Sequence, residues 1–225
     1  MYNNTLARSI EPACADARRP ISPDRKGQTI IMGKILFASA LSAALFLIQA
    51  APSSASDVHV APVTAYVEAN IRPWVEDPLI IDALKSQNLR HSTLSQTAID
   101  ALDATWRTEF ASDARPLIGS VTGNQLSRFL KDKQIASGGV ITEILVIDAK
   151  GLSAGESEVS SDYWQGDELK WQKTYLAGSP VLFVDAAEKD ESTQMLQSQA
   201  SLTISDPQTG KPLGAITIGI NLDAL

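Results

Sequence analysis

The hydrophobic positions of the chain change period once, near residue 138. Ahead of that point the spacing is helical. Val63, Val67 and Ile71 fall on one stripe four residues apart, predicting a helix that Pro73 interrupts after Arg72. Asp77-Pro78 opens a second helix, with Asp77 as its cap, Pro78 in the first turn, and Leu79, Ile80, Ala83 and Leu84 as the buried face. Asn88 is expected to end it, and His91 to Ser95 to form a turn. Over 96–111, Ile99, Leu102, Trp106 and Phe110 recur on one face of a good helix, which makes Trp106 a core residue. Asp113 to Pro116 breaks that helix. A last helical piece covers about 124–133, with Leu126, Phe129 and Leu130 inward.

After Gly138-Gly139 the pattern is that of strands. Val140 to Asp148 is strongly β-branched, and Ala149-Lys150-Gly151 turns it into a short strand, Leu152 to Ser157. Val181 to Asp185 is another strand. Leu196, Ser198, Ala200, Leu202 and Ile204 then alternate with Gln197, Gln199, Ser201, Thr203 and Ser205, and Asp206 to Gly210 makes a hairpin turn. On the returning strand, Ile216, Ile218, Ile220 and Leu222 share one face, and Ala215, Thr217, Gly219 and Asn221 the other. The first face packs; the second is small and leaves room beneath it. Helices first, then five strands with one helical insertion after the second, is an α+β domain with an antiparallel sheet.

The N-terminus changes which residues belong to that domain. Residues 32–55 have Lys34, a nearly continuous apolar run from Ile35 to Ala51, and small residues at Ser53 and Ala55. That order is a secretory signal peptide with cleavage expected after Ala55. The run is shorter than the roughly 20 residues of a spanning helix; an uncleaved membrane anchor is the alternative. Residues 1–31 are polar and basic without apolar periodicity. They read as a mis-assigned N-terminal extension, Met32 being the true start. The domain is then 56–225.

Residues 1–55 hold six of the 19 Lys and Arg and three of the 26 Asp and Glu, which leaves 56–225 with a net charge of −10. Nucleic-acid phosphates require a basic surface, so no nucleic acid is expected as a partner. The one cysteine, Cys14, precedes the domain, which excludes disulfides, thiolate nucleophiles and Cys-held metals from it. The domain has two histidines, His59 and His91, and carries no G-x-S-x-G elbow, no H-E-x-x-H and no phosphate loop. No enzyme and no cofactor is expected; a carboxylate pair such as Asp162 with Asp185 is the remaining hydrolytic alternative. The acidic run Asp185, Glu188, Asp190, Glu191 lacks the ligand spacing and central glycine of a calcium loop, so no metal site is expected.

Candidate chemistry concentrates in Ser161-Asp162-Tyr163-Trp164-Gln165-Gly166-Asp167-Glu168, which continues through Trp171. Tyr163 and Trp164 offer flat apolar area with one polar tip each, for stacking on a small ligand or for filling the core. Neighbours in an extended segment point to opposite sides, so one of the two is expected in a pocket and the other packed. Asp162 is a candidate acceptor for a cationic or hydroxylated ligand, or else a turn acceptor. Asp167 and Glu168 read as helix-start acids facing the positive dipole end of a helix over 168–176. Trp171 and Tyr175 share that helix's face toward the sheet, where one closes a pocket. Lys170 and Lys173 read as solvated, with a carboxylate-partner role as the alternative. Asp185, at the end of an apolar strand, is a pocket-rim candidate. The candidate ligand contacts are therefore Asp162, Tyr163, Trp164, Trp171 and Asp185.

With these residues in hand, the sequence resembles a single Cache domain, the PAS-like extracytoplasmic sensor also called PDC. The resemblance rests on the N-terminal helical segment, on Glu143 to Asp148 leading to Gly151-Leu152, on Ser161 to Glu168, and on the closing Gly214 to Asn221, and it spans roughly residues 60–225. It implies a five-stranded antiparallel PAS-like sheet backed by a long helix, with a small ligand held between the sheet and the segment joining strands two and three. It further implies a periplasmic or secreted location. The sequence ends at Leu225, straight after the last strand, with no signalling module, which resembles a stand-alone exported member and implies that a membrane receptor or transporter reads the ligand state. Members that bind amino acids carry an arginine ahead of a Trp-Tyr type pair; Ser161, Asp162 and Tyr163 precede Trp164 here. A structural or adaptor domain, with the aromatics filling the core, is the other reading.

Overall fold

The structure, a computed structural model, describes residues 58–189 and 194–225, all within one compact unit. The extension, the leader-like run and its cleavage site lie outside the described residues. Six helices come first: α1 (Val60–Asn70), α2 (Arg72–Val75), α3 (Pro78–His91), α4 (Gln96–Phe110), α5 (Pro116–Thr122) and α6 (Gln125–Ala136). The strands are β1 (Ile141–Asp148), β2 (Ser153–Glu156), β3 (Phe183–Val184), β4 (Glu188–Lys189), β5 (Leu196–Ser205) and β6 (Pro212–Asn221). Between β2 and β3 lies α7 (Leu169–Trp171), which runs into a π-helical turn at Gln172–Leu176.

The sheet is antiparallel, in the order β2-β1-β6-β5-β3, with the two-residue β4 also pairing β5. The architecture is the α+β one expected, and β4 is an addition to the five strands. On one face Ile144, Val146, Leu202, Ile204, Ile216, Ile218 and Ile220 meet Val63, Val67, Ile71, Ile80, Leu84, Leu126 and Leu130 from the helices, forming the main core. The opposite face, where Leu145, Ile147 and Ala215 lie, is covered by Trp171 and Tyr175. A third cluster joins Ile99, Trp106, Ile118 and Val121 of α4 and α5 to Leu152 and Tyr163.

The Asp77 cap is present: its carboxylate accepts from Leu79 N at 2.9 Å. Three local expectations are corrected. Asn88 does not end α3, because its amide is used in the tertiary structure: Nδ2 donates to Leu213 O at 2.7 Å and Oδ1 accepts from Ala149 N at 2.9 Å. Pro116 starts α5 instead of only closing α4, since a proline in the first turn gives up no intrahelical hydrogen bond. Phe110, expected inward, is 43% exposed; it is the last residue of α4, and the Arg115 guanidinium covers its ring at 6.0 Å.

Candidate functional site

Two carboxylates organise this region: Asp148 sets the turn between β1 and β2, and Asp103 holds the segment between β2 and β3. Asp148, fully buried at the end of β1, accepts from Lys150 N at 2.7 Å and Leu152 N at 2.9 Å, which sets the turn into β2. It also accepts from Gln87 Nε2 at 3.0 Å and contacts His91 Nδ1 at 2.7 Å, tying that turn to α3. Asp103 of α4 accepts from Tyr163 N at 2.9 Å and Trp164 N at 3.0 Å. The segment lies antiparallel to the turn: Ser153 N donates to Tyr163 O and Gln165 N to Gly151 O.

This placement separates the five candidate residues. Tyr163 is 4% exposed and stacks on Trp106 in the third cluster. Trp164 is half-buried, and its Nε1 donates to Lys150 O at 3.0 Å. Asp162 accepts from Gln165 Nε2 at 2.6 Å and approaches Arg107 at 3.5 Å. Trp171 donates from Nε1 to Asp148 O at 3.0 Å and lies against Tyr175 on the sheet, ring centroids 5.3 Å apart. Both indole N–H groups and the Asp162 carboxylate are thus engaged within the fold: Tyr163 is taken up against α4, and the half-buried Trp164 lies against the Gly151 turn. Asp162 and Asp185 also sit in different surroundings, so the carboxylate pair considered for hydrolysis is not assembled around one cleft.

Asp185 does line a cleft, of about 420 Å³. One wall is the start of α7, Asp167 to Lys170; the other is Asp185, Ala186 and Glu188 with Gln197, Ser198 and Gln199 of β5. Asp185 is fixed at four points. Its N donates to Gln199 O at 2.8 Å, its carbonyl accepts from Ser198 Oγ and from His59 Nε2, each at 2.8 Å, and its Oδ1 accepts from Ala186 N at 2.8 Å. Gln199 is held toward β1 by its bond to Glu143 Oε1 at 3.0 Å.

Lys170 is the residue that sequence reasoning undervalued. It is 8% exposed, lines the cleft, and has its ammonium 3.0 Å from Glu168 Oε2. Glu168 stands at the cap position of α7, the helix start expected of it; it makes no side-chain cap bond and pairs with Lys170 instead. The alternation of β5 places Gln197 and Gln199 on a polar face beside Asp185, but it carries no signal for the burial of Lys170.

A larger groove of about 650 Å³ lies between α3 and α6, and several of its polar groups are engaged within the fold. Gln87 bonds Asp148, Arg90 donates to Ser86 Oγ at 2.6 Å, and Asn124 donates to Ala154 O at 2.9 Å. Among the described residues no three His, Cys, Asp or Glu side chains are grouped to hold a metal ion, and no helix is long and apolar enough to cross a membrane.

No family model matches the sequence, and no curated protein does. Solved structures similar to the chain are sensor or ligand-binding domains. The sensor domain of the histidine kinase DctB from V. cholerae is 14% identical, over 74% of this chain and 51% of that one, with a TM-score of 0.44. The ligand-binding domain of the Campylobacter jejuni chemoreceptor Tlp3, in complex with 4-methylisoleucine, is 16% identical over 66% of this chain and 62% of its own, with a TM-score of 0.35. That of the Pseudomonas aeruginosa PAO1 amino-acid chemoreceptor PctC, in complex with GABA, is 15% identical over 73% and 60%, with a TM-score of 0.36. The chain spans 51 to 62% of the lengths of these three structures.

Proposed function

We propose that residues 56–225 form an exported sensor domain of the Cache type. It binds a small molecule in the cleft beside Asp185 and presents the bound state to a membrane receptor or transporter. The observation that carries this reading is the cleft itself, an ionic and amide-lined recess between the sheet edge and the β2–β3 segment, with a buried lysine in its wall. Burying an ammonium is unfavourable unless partners compensate it. Glu168, 3.0 Å away, compensates Lys170, and the pair makes that wall of the cleft ionic. Asp185 and Lys170 are the proposed ligand contacts, and Asp162, Tyr163, Trp164 and Trp171 the frame that positions them.

Thermal-shift screening of the domain against carboxylates, amino acids, amines and purines tests this. A ligand raises the melting temperature by mass action. Ala186 is exposed on the cleft wall, so Ala186→Trp adds bulk there without disturbing the core. The variant should melt like wild type without ligand and lose the ligand's shift. A shift that persists in Ala186→Trp overturns the assignment of the cleft. A second reading, a structural or adaptor domain, is favoured by the packing of Tyr163, Trp164 and Trp171 within the fold. A screen in which no compound class shifts the protein would select it.

A further inference from the structure

We infer that one face of the domain, around Val58, Leu196 and Leu225, rests on a lipid bilayer. A groove of about 470 Å³ opens there, where the residues that start α1 meet the start of β5 and the residues after β6. Val58, Pro62, Leu196, Leu222 and Leu225 line it with two alanines, and His59 is its one polar side chain. His59 is engaged with the fold, its Nε2 lying 2.8 Å from Asp185 O. Charged side chains take part in lining each of the three other cavities; none lines this one. Val58, Leu196 and Leu225 are 77%, 41% and 40% exposed. Aliphatic side chains grouped in this way are unfavourable in water and mark a contact surface.

Three observations select a bilayer over a protein partner. Eight residues line the groove, far fewer than the roughly 20–30 a side of a standard protein interface. Lipid contact needs only a few aliphatic side chains among the headgroups. The backbone offers little to an added strand, because Leu222 N donates to Leu196 O and Leu196 N donates to Asp223 Oδ2 at 3.3 Å. The chain also enters the domain on this face. Six residues separate the apolar run Ile35 to Ala51 from Val58. Seven residue steps span at most about 25 Å, so a bilayer that retains the run has this face within reach. Charge then selects the lipid. Residues 56–225 carry a net charge of −10, which an anionic leaflet repels. At the groove itself Asp223 is offset by Lys189, which pairs with Leu196 across the strands. The matching surface is zwitterionic.

Co-sedimentation of residues 56–225 with vesicles of phosphatidylcholine, and with vesicles that also contain phosphatidylglycerol, tests this. The domain should sediment with phosphatidylcholine, and less when phosphatidylglycerol is present. Combining Leu196→Glu with Leu225→Glu should lower the partition about tenfold or more at an unchanged melting temperature, since both side chains are exposed. Leu89→Glu is the control. Leu89 is 77% exposed on α3, next to Asn88, which bonds Leu213 O at the far end of β6 from Leu222. That variant should bind as wild type does. If the double variant melts lower than wild type, Leu225→Glu alone decides. Absence of sedimentation overturns the inference, as does an equal loss in Leu89→Glu or tighter binding to phosphatidylglycerol. A dimer in analytical ultracentrifugation that the double variant dissociates, with no vesicle binding, would assign the groove to a second copy and overturn it too.

Discussion

Tyr163 lies flat on Trp106, with ring centroids 5.1 Å apart and planes 7° from parallel. Trp106 is fully buried and donates from its indole N–H to Ser160 O at 2.9 Å. The pair therefore fastens both ends of the segment 160–163 to α4. Aromatic pairs of this kind contribute beyond the area they bury, and truncating a buried aromatic removes both terms and leaves a cavity. Tyr163→Ala should lower stability by about 3–5 kcal/mol in denaturant unfolding, whereas Tyr163→Phe, which keeps the stack, should cost far less. A ligand of the cleft should still shift the melting temperature of Tyr163→Phe as it does wild type. Loss of binding in that variant with stability retained would return Tyr163 to the ligand site.

Gly151 and Gly166 make the other crossing possible. Gly151 has φ +82°, a left-handed conformation that residues with a Cβ adopt at a cost. A Cβ there would lie 2.8 Å from Gly166 Cα and 2.9 Å from Trp164 Nε1, so the first partner in the clash is backbone and cannot rotate away. Gly151→Ala should destabilise by about 2–3 kcal/mol, combining strain with displacement of the Trp164 bond to Lys150 O. Near-ultraviolet circular dichroism should change with it. An unchanged melting temperature would mean that the turn relaxes and that the segment is not held there.

These two contacts also mark where sequence reasoning stopped. The helical stripe of Val63, Val67 and Ile71, the Asp77 cap and the alternation of β5 and β6 are local patterns, and each was legible because a core face is written into consecutive residues. The aliphatic face of β6 was read correctly for the same reason. The direction of Tyr163 and Trp164 was not legible, because it is set by Asp103, 60 residues earlier, whose carboxylate captures both backbone N–H groups. Asp185 at the cleft follows from its strand-end position. The burial of Lys170 depends on how a three-residue helix lies against β5, for which no periodic signal exists.

Asp148 should be the most sensitive polar position in the chain. Its fully buried carboxylate serves two backbone N–H groups of the Gly151 turn, the Gln87 amide and the His91 ring. Asparagine offers one acceptor oxygen in place of two, and its amide would face the Gln87 donor. Asp148→Asn should cost about 2–4 kcal/mol, with faster hydrogen exchange at Gly151 and Leu152 than at α1. Uniform acceleration across the domain would instead indicate that Asp148 supports global stability and does not set the turn locally.

Glu156 gives the domain a pH dependence of definite sign. It is 2% exposed on β2, and its two oxygens accept from Ser160 N and Ser160 Oγ, both at 2.9 Å. Burial pushes its carboxyl from 4.5 up to about 7; the Ser160 N–H opposes this and the nearby Glu143 adds to it. Because the folded value lies above the unfolded one, the folded protein binds more protons between them. The contribution is fully present below about pH 4.5, falls as pH rises, and is lost above about pH 7. At about 1.4 kcal/mol per pH unit, the loss is at most on the order of 3 kcal/mol. Glu156→Gln keeps an acceptor for Ser160 and carries no charge, so its urea midpoint should stay level between about pH 5 and pH 8 while that of wild type declines. At the alkaline end the variant should be the more stable of the two. Parallel pH profiles for the two proteins across that window would show that Glu156 does not titrate in the fold, and that solvent reaches its carboxylate through the Ser157–Asp162 loop.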